Sequence, residues 1–209
     1  MKEKQKISTK QKILDVSIDL FAQNGFKEIS VREIAKAVGI KASSLYKHYE
    51  SKEEILASIF ALFKERMERT EFPKEQLKQY VLTVTPEEYL NESFKMFKQV
   101  MWDPVVVKIA KIITVEQRHH QTVRDFFISE LIEKPNRLLQ YVFDIMVEEG
   151  CIPPINTRVL AEEYSAYIIS LYFEQNFLKD SLNLDEIESK MKQHNDFYVY
   201  NILKKGKEE

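Results

Sequence analysis

Between Ser43 and His48 the chain sets two hydroxyls, a phenol, an ammonium and an imidazole close together: Ser43, Ser44, Tyr46, Lys47 and His48. On a short helix these groups share an outward side, because Leu45 is the large apolar residue that turns inward beneath them. Hydroxyls and a cation with little acid among them suit hydrogen bonding to base edges and phosphate oxygens in a major groove. Catalysis finds less support. The four histidines are His48, His119, His120 and His194. Adjacent His119 and His120 diverge by about 100° on a helix, and Glu116 with His120 at i, i+4 makes a pair rather than a ligand set. No Gly-rich phosphate loop, nucleophile elbow or cysteine cluster occurs. The expectation is no enzyme, no metal and no cofactor.

Charge separates along the chain. Residues 1–52 hold 11 Lys and Arg against 6 Asp and Glu, net +5, whereas the remaining 157 hold 20 against 27, net −7. A basic head on an acidic body fits a DNA-binding module joined to a different one; chance in a Lys/Glu-rich chain produces the same asymmetry. The one cysteine, Cys151, cannot form an internal disulfide, which suits a reducing cytoplasm. The start, MKEKQKISTK, lacks the apolar core of a signal peptide. The stretch Tyr164 to Leu178 contains Glu174 and is shorter than a membrane span. A cytoplasmic protein without a membrane partner is expected.

The elements that must position the outward groups read as all-α. No segment alternates with period 2 between hairpin turn signals. Ser30 with Glu33, Ser51 with Glu54 and Thr85 with Glu88 each fit a capping box, the last with Pro86 at the first helical position. The spacing predicts helices over 9–24, 31–38, 43–49 and from 52 toward 71. Further helices follow over 86–101, 104–118, 121–149 with a bend near Pro135, 156–178 and 184–204, about nine in all. Gly25 supplies a left-handed stop, and Gly39-Ile40-Lys41 forms a turn short enough to set two helices at a steep angle. Ile34, Val38, Ile40 and Leu45 point inward against the first helix, with Leu20 and Phe21 below. This is a three-helix helix-turn-helix domain over 1–52, followed by a larger helical bundle over 53–209.

Residues 10–56 resemble the DNA-binding head of the TetR family of bacterial repressors. The resemblance rests on Ile13, Leu20-Phe21, Gly25-Phe26, Ser30-Val31, Ile34-Ala35, Gly39-Ile40, Leu45-Tyr46, Tyr49 and Ser51-Lys52-Glu53 in unbroken order. Ser17 stands where the family usually has Ala, and Ser30 where Thr is commoner. The resemblance implies that Ser30 caps the second helix and meets a phosphate, with Arg32 nearby. It places Lys41, Ala42, Ser43 and Ser44 at the start of the recognition helix, Tyr46 and Lys47 toward the groove, and His48 and Tyr49 toward the backbone. Lys52 would meet a phosphate. Packing between head helices is the other reading for Tyr46 and Tyr49. Lys2, Lys4 and Lys6 either track the minor groove or form a solvated tail.

Two heads about 34–36 Å apart are needed to read a palindromic operator in double-stranded DNA, so a homodimer is expected. Helices near 156–178 and 184–204 are its candidates. The first is apolar on nearly every side, and the second carries a stripe of Ile187, Met191, Tyr198 and Ile202 interrupted by His194; a purely intramolecular core is the other reading of both. The body between holds large apolar side chains that build a core. Phe97, Met101, Trp102, Tyr141 and Tyr167 are its candidates for lining a site for a small apolar or amphipathic effector. Glu116 or His120 would either greet a polar ligand group or stand on the surface. The function these features imply is a repressor released from its operator by that effector; the alternative is an activator, or a constitutive DNA-binding protein without a ligand.

Overall fold

Side chains that satisfy free amides set where the helices start. The computed structural model describes residues 8–68 and 73–203, and every regular element among them is helical. Ser8 Oγ accepts from the Gln11 amide at 3.1 Å and opens α1 (Thr9–Asn24). Gly25 ends it at φ 86°, a backbone angle that an L side chain rarely adopts. The Ser30–Glu33 capping box closes in both directions and opens α2 (Val31–Val38), which stops at left-handed Gly39. After α3 (Ala42–Leu45), α4 (Lys52–Glu68) starts with half of its expected box. The Glu54 amide donates to Ser51 Oγ at 3.1 Å, but the Glu54 carboxylate accepts from the Glu50 amide instead. The expected last residues of α4 lie outside the described residues, as do Lys2, Lys4 and Lys6.

The body differs from expectation in three places. A helix missed by capping logic, α5 (Lys74–Val81), precedes α6 (Pro86–Met101); no side chain caps its start. After α7 (Pro104–Glu116), the segment expected as a helix bent at Pro135 runs as α8 (Gln121–Phe126), a π segment Phe127–Glu133 and α9 (Lys134–Glu148). Proline offers no amide to the carbonyl four residues back and crowds it, so the widened turn falls just ahead of Pro135. The last two helices, α10 (Thr157–Phe173) and α11 (Leu184–Tyr198), each end in a further π segment, Glu174–Leu178 and Val199–Leu203.

Packing groups the chain into two units. The first holds the described residues up to Glu68 together with Val100–Phe127, so the head expected over 1–52 shares it with α4, α7 and α8. Its core includes Ile13, Phe21, Ile34, Leu45, Ile55, Ile59, Phe63, Ile109 and Ile113. Ser17, the family-atypical residue, is buried there and donates its hydroxyl to the Ile13 carbonyl at 2.7 Å, which removes the cost of an orphan donor.

The second unit is built from α5, the part of α6 up to Gln99, and the chain from Ile128 onward. The Tyr164 hydroxyl donates to Asn195 Oδ1 at 2.7 Å, and Asn195 Nδ2 donates to Asn91 Oδ1 at 2.8 Å, tying α10, α11 and α6 through one polar chain. The stripe expected as dimer surface on the last helix faces inward instead: Ile187, Met191 and Tyr198 are buried in this unit's own core. A helix hydrophobic on one side serves its own subunit first, because that partner is always present.

Two buried groups in this unit carry measurable consequences. Gln175 is 2% exposed and neither atom of its amide finds a partner among the described residues. Gln175→Leu, which removes the orphan dipole at similar volume, should raise stability by about 1–2 kcal/mol in urea denaturation; a loss would overturn this expectation. His194 stacks on Tyr167 at 4.0 Å, and burial holds its pKa down to about 4. The unfolded chain takes up this proton near pH 6.5 and the fold does not, so stability should fall as pH drops from about 6.5 to 4. His194→Phe should flatten that part of a stability–pH curve.

Candidate nucleic-acid interface

A four-residue helix depends on what lies beneath it, and α3 rests on Leu45, which is wholly buried against the head core. The expected helix to Tyr49 is shorter than that. After Leu45 the chain tightens into three-residue turns, with the Lys47 amide donating to the Ser44 carbonyl and the His48 amide to the Leu45 carbonyl. This tightening carries Tyr49 inward. Lys41, Ser43, Tyr46 and Lys47 are exposed, Tyr46 by 54%; Ala42, Ser44 and His48 are half-buried at the edge of the same surface. Ser30 and Arg32 are exposed at the start of α2.

Two residues implied as backbone contacts are used inside the fold. Tyr49 is 2% exposed, with Lys10 Nζ 5.0 Å from its ring centroid, and burial raises its phenol pKa while a hydrogen bond to Ser58 opposes the rise. Packing, the alternative for this residue, describes its position. Lys52 Nζ donates to the carbonyls of Phe26 at 2.7 Å and Ile29 at 2.9 Å and lies over the Phe26 ring at 4.2 Å. Its charge therefore stabilises the α1–α2 connection. Ser30 is likewise committed to its capping box, where its hydroxyl and amide both donate to Glu33 Oε2. Those two bonds, the hydroxyl's the stronger influence, hold the Glu33 pKa below its ordinary value.

Sequence reasoning missed the partner of Phe26. Glu116 is 3% exposed rather than on the surface, and its Oε1 accepts from the Phe26 amide at 3.1 Å across ninety residues of chain. Nothing in spacing alone marks such a pairing; the only signal was that Glu116 is the single acid of α7.

The five candidates for an effector site divide between the units. Met101 and Trp102 are buried in the first, whereas Phe97, Tyr141 and Tyr167 are half-buried in the second. Tyr167 stacks on His194, and Lys74 Nζ stands 5.5 Å from the Tyr141 ring centroid. An open depression of about 310 Å³ in the second unit lies between α6 and α11, with Phe94 and Met191 below and Lys95, Lys98 and Lys192 at its rim; none of the five lines it. No group of three or more His, Cys, Asp and Glu arranged for a metal ion occurs among the described residues, and no helix there is long and apolar enough to cross a membrane.

Residues 13–59 match the family model described as bacterial regulatory proteins, tetR family. A segment of 46 residues is 48% identical to the biofilm operon negative transcriptional regulator IcaR of Staphylococcus epidermidis, covering 22% of this chain and 25% of that protein. The chain thus aligns with about a quarter of the length of such curated relatives. The fold as a whole is similar to a transcriptional regulator from Aquifex aeolicus VF5, with TM-score 0.69 and 21% identity over 91% of this chain and 99% of that one. It is also similar to a transcriptional regulator from Saccharomonospora viridis in complex with choline, with TM-score 0.64 and 18% identity over 93% and 97% of the two chains.

Proposed function

We propose that this chain, which belongs to the TetR family of bacterial regulatory proteins, represses transcription in the cytoplasm by binding a palindromic operator as a homodimer and leaves it when a small effector binds the body. One observation carries the DNA-binding part. Lys41, Ser43, Tyr46 and Lys47 stand exposed on and beside a helix whose underside, Leu45, is buried. Such a surface offers the hydroxyl and cationic donors that base edges and phosphates accept from. Arg32, Ser30, Ala42, Ser44 and His48 flank it and serve the backbone and the groove edge. The repressive sense follows IcaR, named as a negative regulator, and the effector follows the choline-bound regulator. For this chain the effector is an apolar or amphipathic molecule, its contacts drawn either from Phe97, Tyr141 and Tyr167 in the second unit or from Met101 and Trp102 in the first. A ligand that prefers a non-binding conformation releases operator by its differential affinity, about 1–3 kcal/mol in typical cases.

The dimer surface lies on α10, α11 and their π segments, but on the outer face. Phe197 is 56% exposed and Tyr200 76%, with Leu178 and Leu184 also exposed on this part of the chain. A second copy covers them.

A duplex selected from a random pool by the wild-type protein tests the reading. Lys47→Ala should weaken its binding and lower the salt slope by about one unit, and Tyr46→Ala should cost roughly 1–3 kcal/mol of discrimination. Unchanged affinity in both would reject the α3 surface. Replacing Phe197 and Tyr200 together by Asp should shift sedimentation from dimer to monomer at micromolar concentration; a wild-type monomer under those conditions would remove the dimer.

A further inference from the structure

A chain of hydrogen bonds that begins in the core of the second unit ends at the depression between α6 and α11. Tyr164 and Asn195 are each 2% exposed. The Tyr164 hydroxyl donates to Asn195 Oδ1, and Asn195 Nδ2 donates in turn to Asn91 Oδ1. Both bonds run in one direction, so each polarises the next. That direction fixes what the last member has left to offer. Asn91 is exposed and lines the depression, and its Nδ2 donates to no acceptor among the described residues.

The rest of the rim has the same polarity. Lys95 and Lys98 follow Asn91 at i+4 and i+7 on one face of α6, and Lys192 stands across from them on α11. Glu188 is the single acid among the residues that line the depression. Each ammonium has one carboxylate near it: Glu92 lies 3.6 Å from Lys95, Glu188 pairs with Lys98, and Asp196 lies 2.6 Å from Lys192. All three carboxylates are more than half exposed. An ammonium has three donors, so one weak exposed partner does not exhaust it. Beneath this ring of donors, Phe94 and Met191 offer only apolar surface. A volume of about 310 Å³ is at the small end of ligand sites.

We propose that this depression binds a small carboxylate with a short apolar tail. Asn91 and Lys95 hold the head, and Phe94 and Met191 receive the tail. The donors at the rim require an acceptor, the excess of ammonium over acid in the lining favours an anion, and the floor rewards a hydrocarbon. The site stands apart from the five effector candidates. It also stands apart from the proposed dimer surface: Phe197 lies about 180° around α11 from Glu188 and about 140° from Lys192, so a second copy seated there leaves the depression open.

The test titrates the isotope-labelled full chain with hexanoate, read by NMR at the Asn91 side-chain amide and the backbone amides of Lys95 and Met191. Hexanoate should move these signals along a saturable curve and raise the melting temperature over the same concentrations. Hexan-1-ol has the tail without the charge, and inorganic phosphate the charge without the tail; each should bind about tenfold more weakly or worse. Asn91→Asp keeps an acceptor for Asn195 Nδ2 but sets an oxyanion where the donor was. It should weaken hexanoate by about tenfold or more, read at Lys95 and Met191, and Lys95→Gln should weaken it severalfold. No saturable shift, an equal response to hexan-1-ol or phosphate, or wild-type affinity in Asn91→Asp overturns the proposal. Should Asn91→Asp fail to fold, Lys95→Gln and the three probes on the wild type still decide. No readout involves DNA, so the duplex-binding reading stands or falls separately.

Discussion

A helix of one turn cannot hold its own shape in water, because nucleation costs more than its few hydrogen bonds return. The exposed face of α3 exists only because Leu45 and Tyr49 are driven beneath it, each burial contributing about 2–3 kcal/mol. That constraint propagates. Ile34 and Ala35 on α2 must lie close to α3, Gly39 must turn with positive φ to allow it, and α1 must present Ile13 and Phe21 as the floor. The chemistry of Lys47 and Tyr46 is thus a consequence of what the neighbouring positions bury.

The same economy of space explains why charged residues near the head divide into two kinds. Lys41 and Lys47 remain exposed. Lys52 sits at the start of α4, where the open carbonyls of Phe26 and Ile29 are nearer than any ligand. A short, partly desolvated ammonium–carbonyl bond keeps this cation within the fold. Glu116 takes the other backbone group of Phe26, so the two peptide units flanking this one residue are each held by a charged side chain.

In the second unit, apolar residues fill their own core before any surface. α10 buries Leu160, Tyr164, Leu171 and Tyr172, and α11 buries Ile187, Met191 and Tyr198; Val159, Leu178, Leu184, Phe197 and Tyr200 are among those that remain outside. The ion pairs joining Lys179 and Lys190 to Glu174 and Glu186 fasten the end of α10 to α11, with the Glu186 pKa lowered to about 2 by the hydrogen bonds from Lys179 and then Lys190. Those groups are exposed, so their contribution is orientation more than stability.

By itself the sequence determined the helical class and nearly every helix start, since caps, glycine stops and apolar spacing act over a few residues and are written in order along the chain. It also picked out Ser43, Tyr46 and Lys47 as outward, because Leu45 specifies which side of α3 is down. Tertiary structure decided what depends on distant partners: that Tyr49 and Lys52 turn inward, that the stripe of α11 is core, and that Glu116 reaches Phe26. It decided, too, where the helices widen ahead of Pro135 and at the ends of α10 and α11. Periodicity tells which residues share a face, but only the packed neighbours tell whether that face meets water, its own core or a backbone group ninety residues away.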